Sequence, residues 1–135
     1  MAVNEVQALL RDAERLYQEA LRELEAGKVR KAAENAWGAT AKATDALLYV
    51  RAKVEVVRGL GRTRELYKLA KADQEVRELE LTKEYNNRIL HLHGNCFYEG
   101  IYEIPGVNLK ELIVETGKYI ENVKKLSLNE RQRKG

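Results

Sequence analysis

Arg88, His93 and Asn95 fall within one short stretch, Arg88-Ile89-Leu90-His91-Leu92-His93-Gly94-Asn95, and their types suit one kind of chemistry. Metal-independent cleavage of RNA needs a proton removed from a 2′-hydroxyl and a proton delivered to the leaving 5′-oxygen. It also needs a fixed positive charge beside the phosphorus. Histidine, with an ordinary pKa of about 6.5, moves protons near neutrality. Arginine supplies a permanent charge and a two-pronged donor for phosphate oxygens. Spacing argues against a simple pairing of the two. Five residues on a regular helix leave them about 140° apart, so Arg88 shares a face with Glu84 and His91, and His93 with Ile89, Leu90 and Phe97. In a straight helix Arg88 is better explained as an ion-pair partner of Glu84. Convergence with His93 requires the helix to loosen near Gly94, or a second subunit to bring its own copy across a two-fold axis. The competing reading makes His93 an interior histidine on an apolar helix face.

Other motifs carry less. Gly59-Leu60-Gly61 follows no strand and is not a dinucleotide fingerprint, and Gly117-Lys118 is followed by Tyr119 rather than the Ser or Thr of a phosphate loop. One cysteine, Cys96, excludes an intramolecular disulfide framework and reads as a core residue. With only two histidines, no metal centre is expected, and no motif calls for a cofactor.

The net charge of +3 over 135 residues hides strong segregation. Residues 1–50 carry −1, residues 51–72 carry +5, residues 73–122 carry −5, and residues 123–135 carry +4. Within the basic stretch, Arg58, Arg62, Arg64, Lys68 and Lys71 are candidates for steering a nucleic acid, although a basic cluster can equally be a solvated face. The candidate site lies in the acidic segment, which would repel RNA unless folding or dimerisation brings residues 51–72 alongside it. No apolar run approaches the roughly 20 residues of a membrane span. The N-terminus lacks the basic and apolar regions of a signal peptide. A soluble cytoplasmic protein with no membrane partner is therefore expected. The load of Lys, Arg and Glu fits a heat-adapted source.

The elements that must position these residues are helical. Apolar residues recur at three-and-four spacing from Val6 to Leu24, with Asn4 and Gln7 in capping-box positions and Gly27 as a stop. A second, alanine-rich helix is expected from Lys28 to about Val57, and a short third one capped by Thr63 through Ala70. A fourth is expected from Glu75 to Tyr98, with an apolar face of Leu79, Ile89, Leu90, His93 and Phe97. A fifth is expected after Pro105-Gly106, capped by Asn108 with Glu111 three residues on. Short loops between helices of unequal length predict an all-α, antiparallel four- or five-helix bundle. Residues 1–128 would form one domain and 129–135 a frayed basic tail.

Three blocks resemble the archaeal PaREP repeat family: Ala33-Glu34-Asn35-Ala36-Trp37-Gly38-Ala39, Thr63-Arg64-Glu65-Leu66-Tyr67-Lys68-Leu69-Ala70, and Leu92-His93-Gly94-Asn95-Cys96-Phe97-Tyr98-Glu99-Gly100. The resemblance spans about residues 5–125 and extends to the HEPN helical-bundle superfamily. It implies a small helical bundle, usually a homodimer. It also implies an activity found in many superfamily members, that of a ribonuclease toxin paired with a nucleotidyltransferase-type antitoxin. The superfamily's active-site motif, an arginine followed after four to six residues by a histidine, is matched by Arg88 and His93. The commonly polar residue after the arginine is here Ile89. Other superfamily members serve as binding or scaffold subunits. Two readings stand. The favoured one is a non-catalytic dimeric interaction or scaffold module of a mobile-element or toxin–antitoxin-type system. The alternative is a metal-independent endoribonuclease, with His93 as general acid/base, Arg88 on phosphate and Asn95 orienting.

Overall fold

The computed structural model describes residues 2–134, with side chains from 5 to 128. Asn4, expected as a cap, lies outside the side chains described, as does the expected frayed tail 129–135. Helix α1 (Ala2–Glu25) buries Val6, Leu10, Ala13 and Ala20, which is the spaced stripe expected of it. It ends where Gly27 takes a left-handed φ of +79°. Helix α2 (Val29–Leu47) packs along α1 and is enclosed on most sides, with Ala32, Ala33, Ala36, Ala39, Ala43 and Ala46 fully buried. Its small residues permit this. A Cβ added at Gly38 would sit 3.3 Å from Leu16 Cδ1, so α1 and α2 meet closely there.

The second helix ends earlier than its spacing suggests. After Leu47 the backbone widens into a π-helical segment, Leu48–Ala52, and stops where Lys53 adopts φ 59°. Helix α3 (Arg62–Ala72) begins after Gly61, so Thr63 lies inside it and shares a hydrogen bond with the Tyr85 hydroxyl instead of capping. The expected fourth helix is divided. Asp73 caps a short α4 (Gln74–Glu78) by accepting from the Val76 amide, and Glu80 then turns the chain with φ 52°. Helix α5 (Leu81–Asn87) continues directly as an eleven-residue π-helix, Arg88–Tyr98.

The buried face differs from the one expected. Leu81, Tyr85, Arg88, Leu92 and Cys96 are buried, while Leu90, expected on the apolar face, is 56% exposed. The Pro105-Gly106 turn is closed by an isolated bridge between Ile104 and Val107, the only β pairing among the described residues. Asn108 does cap α6 (Leu109–Val114), its Oδ1 accepting from the Glu111 amide at 3.0 Å. Helix α7 (Thr116–Lys134) closes the core with Tyr119, Ile120, Val123 and Leu126. The chain is all-helical, and no described helix is long and apolar enough to cross a membrane.

Candidate functional site

The π-helical segment carries all three candidate residues and sends them to different neighbours. Arg88 is 1% exposed. Its Nη1 donates to Glu84 Oε1 at 2.9 Å and to the Glu84 carbonyl at 3.0 Å. Nε donates to Thr116 Oγ1 at 2.9 Å and Nη2 to the Leu112 carbonyl at 3.3 Å. The guanidinium also lies 5.8 Å from the Tyr119 ring centre. Two acceptors sit on the 112–116 corner, so Arg88 ties the π-helix to the junction of α6 and α7. The Tyr119 hydroxyl meets Thr44 Oγ1 at 2.6 Å, and Thr44 in turn donates to the Thr40 carbonyl. Tyr119 must therefore donate, and burial pushes its pKa well above the ordinary tyrosine value, outweighing the hydrogen bond to Thr44.

His93 sits apart from this network. Its Nδ1 lies 2.9 Å from Glu34 Oε1, with both side chains about one third exposed. A carboxylate only accepts, so Nδ1 carries the proton and Nε2 is the nitrogen left for exchange when the ring is neutral. The imidazole is walled by aromatic rings: Trp37 at 5.5 Å, Tyr98 edge-on at 4.9 Å and Phe97 stacked at 6.5 Å. Asn95 takes no part in the Glu34 contact and instead donates from Nδ2 to His91 Nδ1, one turn back, at 3.2 Å. Glu34, rather than Asn95, is the group that holds the His93 ring. Its signal was a lone acid in the alanine-rich block that also supplies Trp37.

Of the basic candidates, Arg62 is engaged. It reaches Asp45 through Nε at 2.6 Å and Nη2 at 3.1 Å and lies 6.0 Å from the Trp37 ring. Burial works to lower its pKa, but the bond to Asp45 and its charge prevail and raise it. Arg64 and Lys68 flank Glu65 at 3.6 and 3.9 Å with largely exposed side chains, and Arg58 and Lys71 are exposed. Cys96 is fully buried, and desolvation raises its thiol pKa against the weaker pull of Arg30, so it stays protonated and inert.

Beside the His93 pair lies a feature that no motif announces. An open groove of about 1400 Å³ runs between the α1–α2 turn and the segment from Tyr102 to Lys110. Arg30 borders it, donates to the carbonyls of Phe97 and Tyr98, and lies 5.8 Å from the Phe97 ring. Glu34 follows Arg30 by one turn of α2, so the groove and the His93 pair share a helix face. Among the described residues, no group of three or more His, Cys, Asp or Glu side chains is placed to hold a metal ion.

The fold and site define an all-helical protein whose α2 is enclosed by its neighbours, with a buried arginine tie and a half-exposed histidine–carboxylate pair. The model of the archaeal PaREP1/PaREP8 family matches residues 8–117, and the chain belongs to that family. No curated protein and no solved structure matches it significantly.

Proposed function

We propose that this chain is a HEPN-like helical bundle acting as a non-catalytic, homodimeric interaction or scaffold module of a mobile-element or toxin–antitoxin-type system. Arg88 carries the reading. A phosphate-binding arginine must present its donors to substrate, whereas this guanidinium is buried and distributes them over Glu84, Thr116 and Leu112. Releasing it would deprive the buried Thr116 hydroxyl and the Glu84 carboxylate of this donor.

The test is cleavage of single-stranded RNA by chelator-treated protein, with sedimentation equilibrium for the assembly. The expected result is a dimer with no turnover. His93→Ala should lower the melting temperature by a few degrees and change nothing in the RNA. Turnover by the wild-type chain that His93→Ala abolishes would overturn the proposal.

One observation favours a second reading, the endoribonuclease with His93 as general acid/base. A carboxylate bonded to imidazole Nδ1 fixes tautomer and orientation, as acid–base catalysis requires. In that reading the positive charge at phosphate comes from elsewhere in a dimer, and Arg58, Arg64, Lys68 and Lys71 steer the strand. A nucleotidyltransferase-type antitoxin would be the partner of such a toxin.

A further inference from the structure

The groove between the α1–α2 turn and residues 102–110 has a charge that the sequence segments conceal. Lys28, Arg30, Lys31 and Lys110 border it against one carboxylate, Glu103. Lys28 and Lys31 come from the −1 segment and Lys110 from the −5 segment, so folding concentrates cations from two segments that are net acidic. Among the described residues, none of the three lysines forms an ion pair, and Lys28, Lys31 and Lys110 are exposed. Arg30 is held in place through the Phe97 and Tyr98 carbonyls. Tyr102 borders the same groove and is 53% exposed, with Ile101 and Tyr98 exposed on the chain leading to it.

We infer that this groove binds a single-stranded polynucleotide, with Lys28, Lys31 and Lys110 on successive phosphates and Tyr102 stacking on an unpaired base. Three features select that ligand. Unneutralised cations along an open channel match a repeating anion. An exposed aromatic ring beside them offers a platform that only an unstacked base can use. At about 1400 Å³ the groove exceeds the roughly 300–1,000 Å³ of a typical small-molecule pocket, which favours a chain over a lone nucleotide. The inference does not depend on whether His93 is catalytic, and it assigns binding to a surface distinct from the basic stretch 51–72.

Fluorescence anisotropy with a labelled oligouridylate of about 12 nucleotides tests it on the full chain over a range of salt. Gel analysis confirms that the RNA is intact, which separates binding from cleavage. The wild-type chain should bind with a steep salt dependence. Lys28→Glu with Lys31→Glu should weaken binding by about tenfold or more and reduce the slope of log affinity against log salt by about 1.4, the share of two phosphate contacts. Tyr102→Ala should weaken binding by about tenfold and leave that slope unchanged. Lys118→Glu with Lys125→Glu, the same charge change on exposed positions of α7, should leave affinity near wild type. Circular dichroism checks folding, and Lys110→Glu provides an independent groove variant should the double variant misfold.

Several outcomes would overturn the inference. One is absence of binding by the wild-type chain, and another is equal affinity of the groove variants and the wild type. Loss confined to Arg64→Glu with Lys68→Glu would place binding on α3. Binding of duplex RNA as tight as of the single strand would remove the stacking role. Dissociation of a dimer by the groove variants, with RNA affinity unchanged, would make the groove a protein interface. Competition by uridine monophosphate at equal concentration would make it a mononucleotide site. An oligodeoxyuridylate arm shows whether the 2′-hydroxyl is read, and either result leaves the polynucleotide class intact and so supports it.

Discussion

Arg88 illustrates how a residue suited to catalysis can be consumed by structure. Its guanidinium satisfies a carboxylate, a hydroxyl and two carbonyls, and no water-facing donor remains to meet a phosphate. Truncation should therefore act on stability. Arg88→Ala leaves the Glu84 carboxylate and the Thr116 hydroxyl without this donor and opens a cavity, while the Leu112 carbonyl still accepts from Thr116 Oγ1, and a loss of about 2–4 kcal/mol is expected, read as a lower urea midpoint. Arg88→Met, which fills the volume without charge, should lose less. His93 shows the opposite case, since Glu34 orients its ring while leaving about a third of the side chain exposed. Its identity was legible in the sequence, and its partner was not. Glu34 is 59 residues away, a separation at which no helical spacing rule operates.

At the scale of elements, the decisive event is which face of the stretch 81–98 turns inward. Apolar residue type assigns Ile89, Leu90 and Phe97, and with them His93, to the core, but the segment buries Arg88, Leu92 and Cys96 and turns Leu90 outward. The reason is geometric: Leu81, Tyr85, Arg88, Leu92 and Cys96 follow one another at three- and four-residue spacing and share one side, whereas Leu90 lies about 200° around from Arg88. Helix α2 ends at Leu47 and its π-helical continuation at Ala52, short of the expected Val57. Another close fit lies at Gly117, where an added Cβ would stand 2.7 Å from Tyr17 Oη, whose hydroxyl donates to the Val114 carbonyl. Gly117→Ala should cost about 1–3 kcal/mol in thermal or urea unfolding. Adding Tyr17→Ala should recover part of the steric loss, so that the two changes are less than additive.

Across the whole molecule, buried polar groups join the helices at the core. Tyr119 on α7 reaches Thr44 on α2 and lies beside Arg88 on the π-helix, so its ionisation is coupled to global unfolding. Its pKa is raised in the fold, whereas the unfolded chain releases that proton near pH 10. The unfolded state therefore holds fewer protons above pH 10, and stability must fall as pH rises from there, by up to about 1.4 kcal/mol per unit from this group. Urea unfolding at pH 9 and pH 11 should show the decline, and Tyr119→Phe should flatten it. Charge organisation is also a whole-molecule property. The +5 segment has Arg62 bound to Asp45 and Arg51 bound to Asp73 and Glu75, while cations from segments that are net acidic collect at the groove.

The sequence by itself determined the helical class, the alanine-rich face of α2, the Asn108 cap and the membership suggested by the tryptophan and histidine blocks. All of these follow from periodicity or from short-range chemistry within a few residues. Tertiary structure alone decided that Arg88 is buried, that Glu34 rather than Asn95 holds His93, and that Lys28, Arg30, Lys31 and Lys110 share one groove. Those facts depend on which face of a helix packs inward and on contacts between distant segments, and neither is encoded in short-range spacing when a polar residue such as Arg88 lies on the buried side.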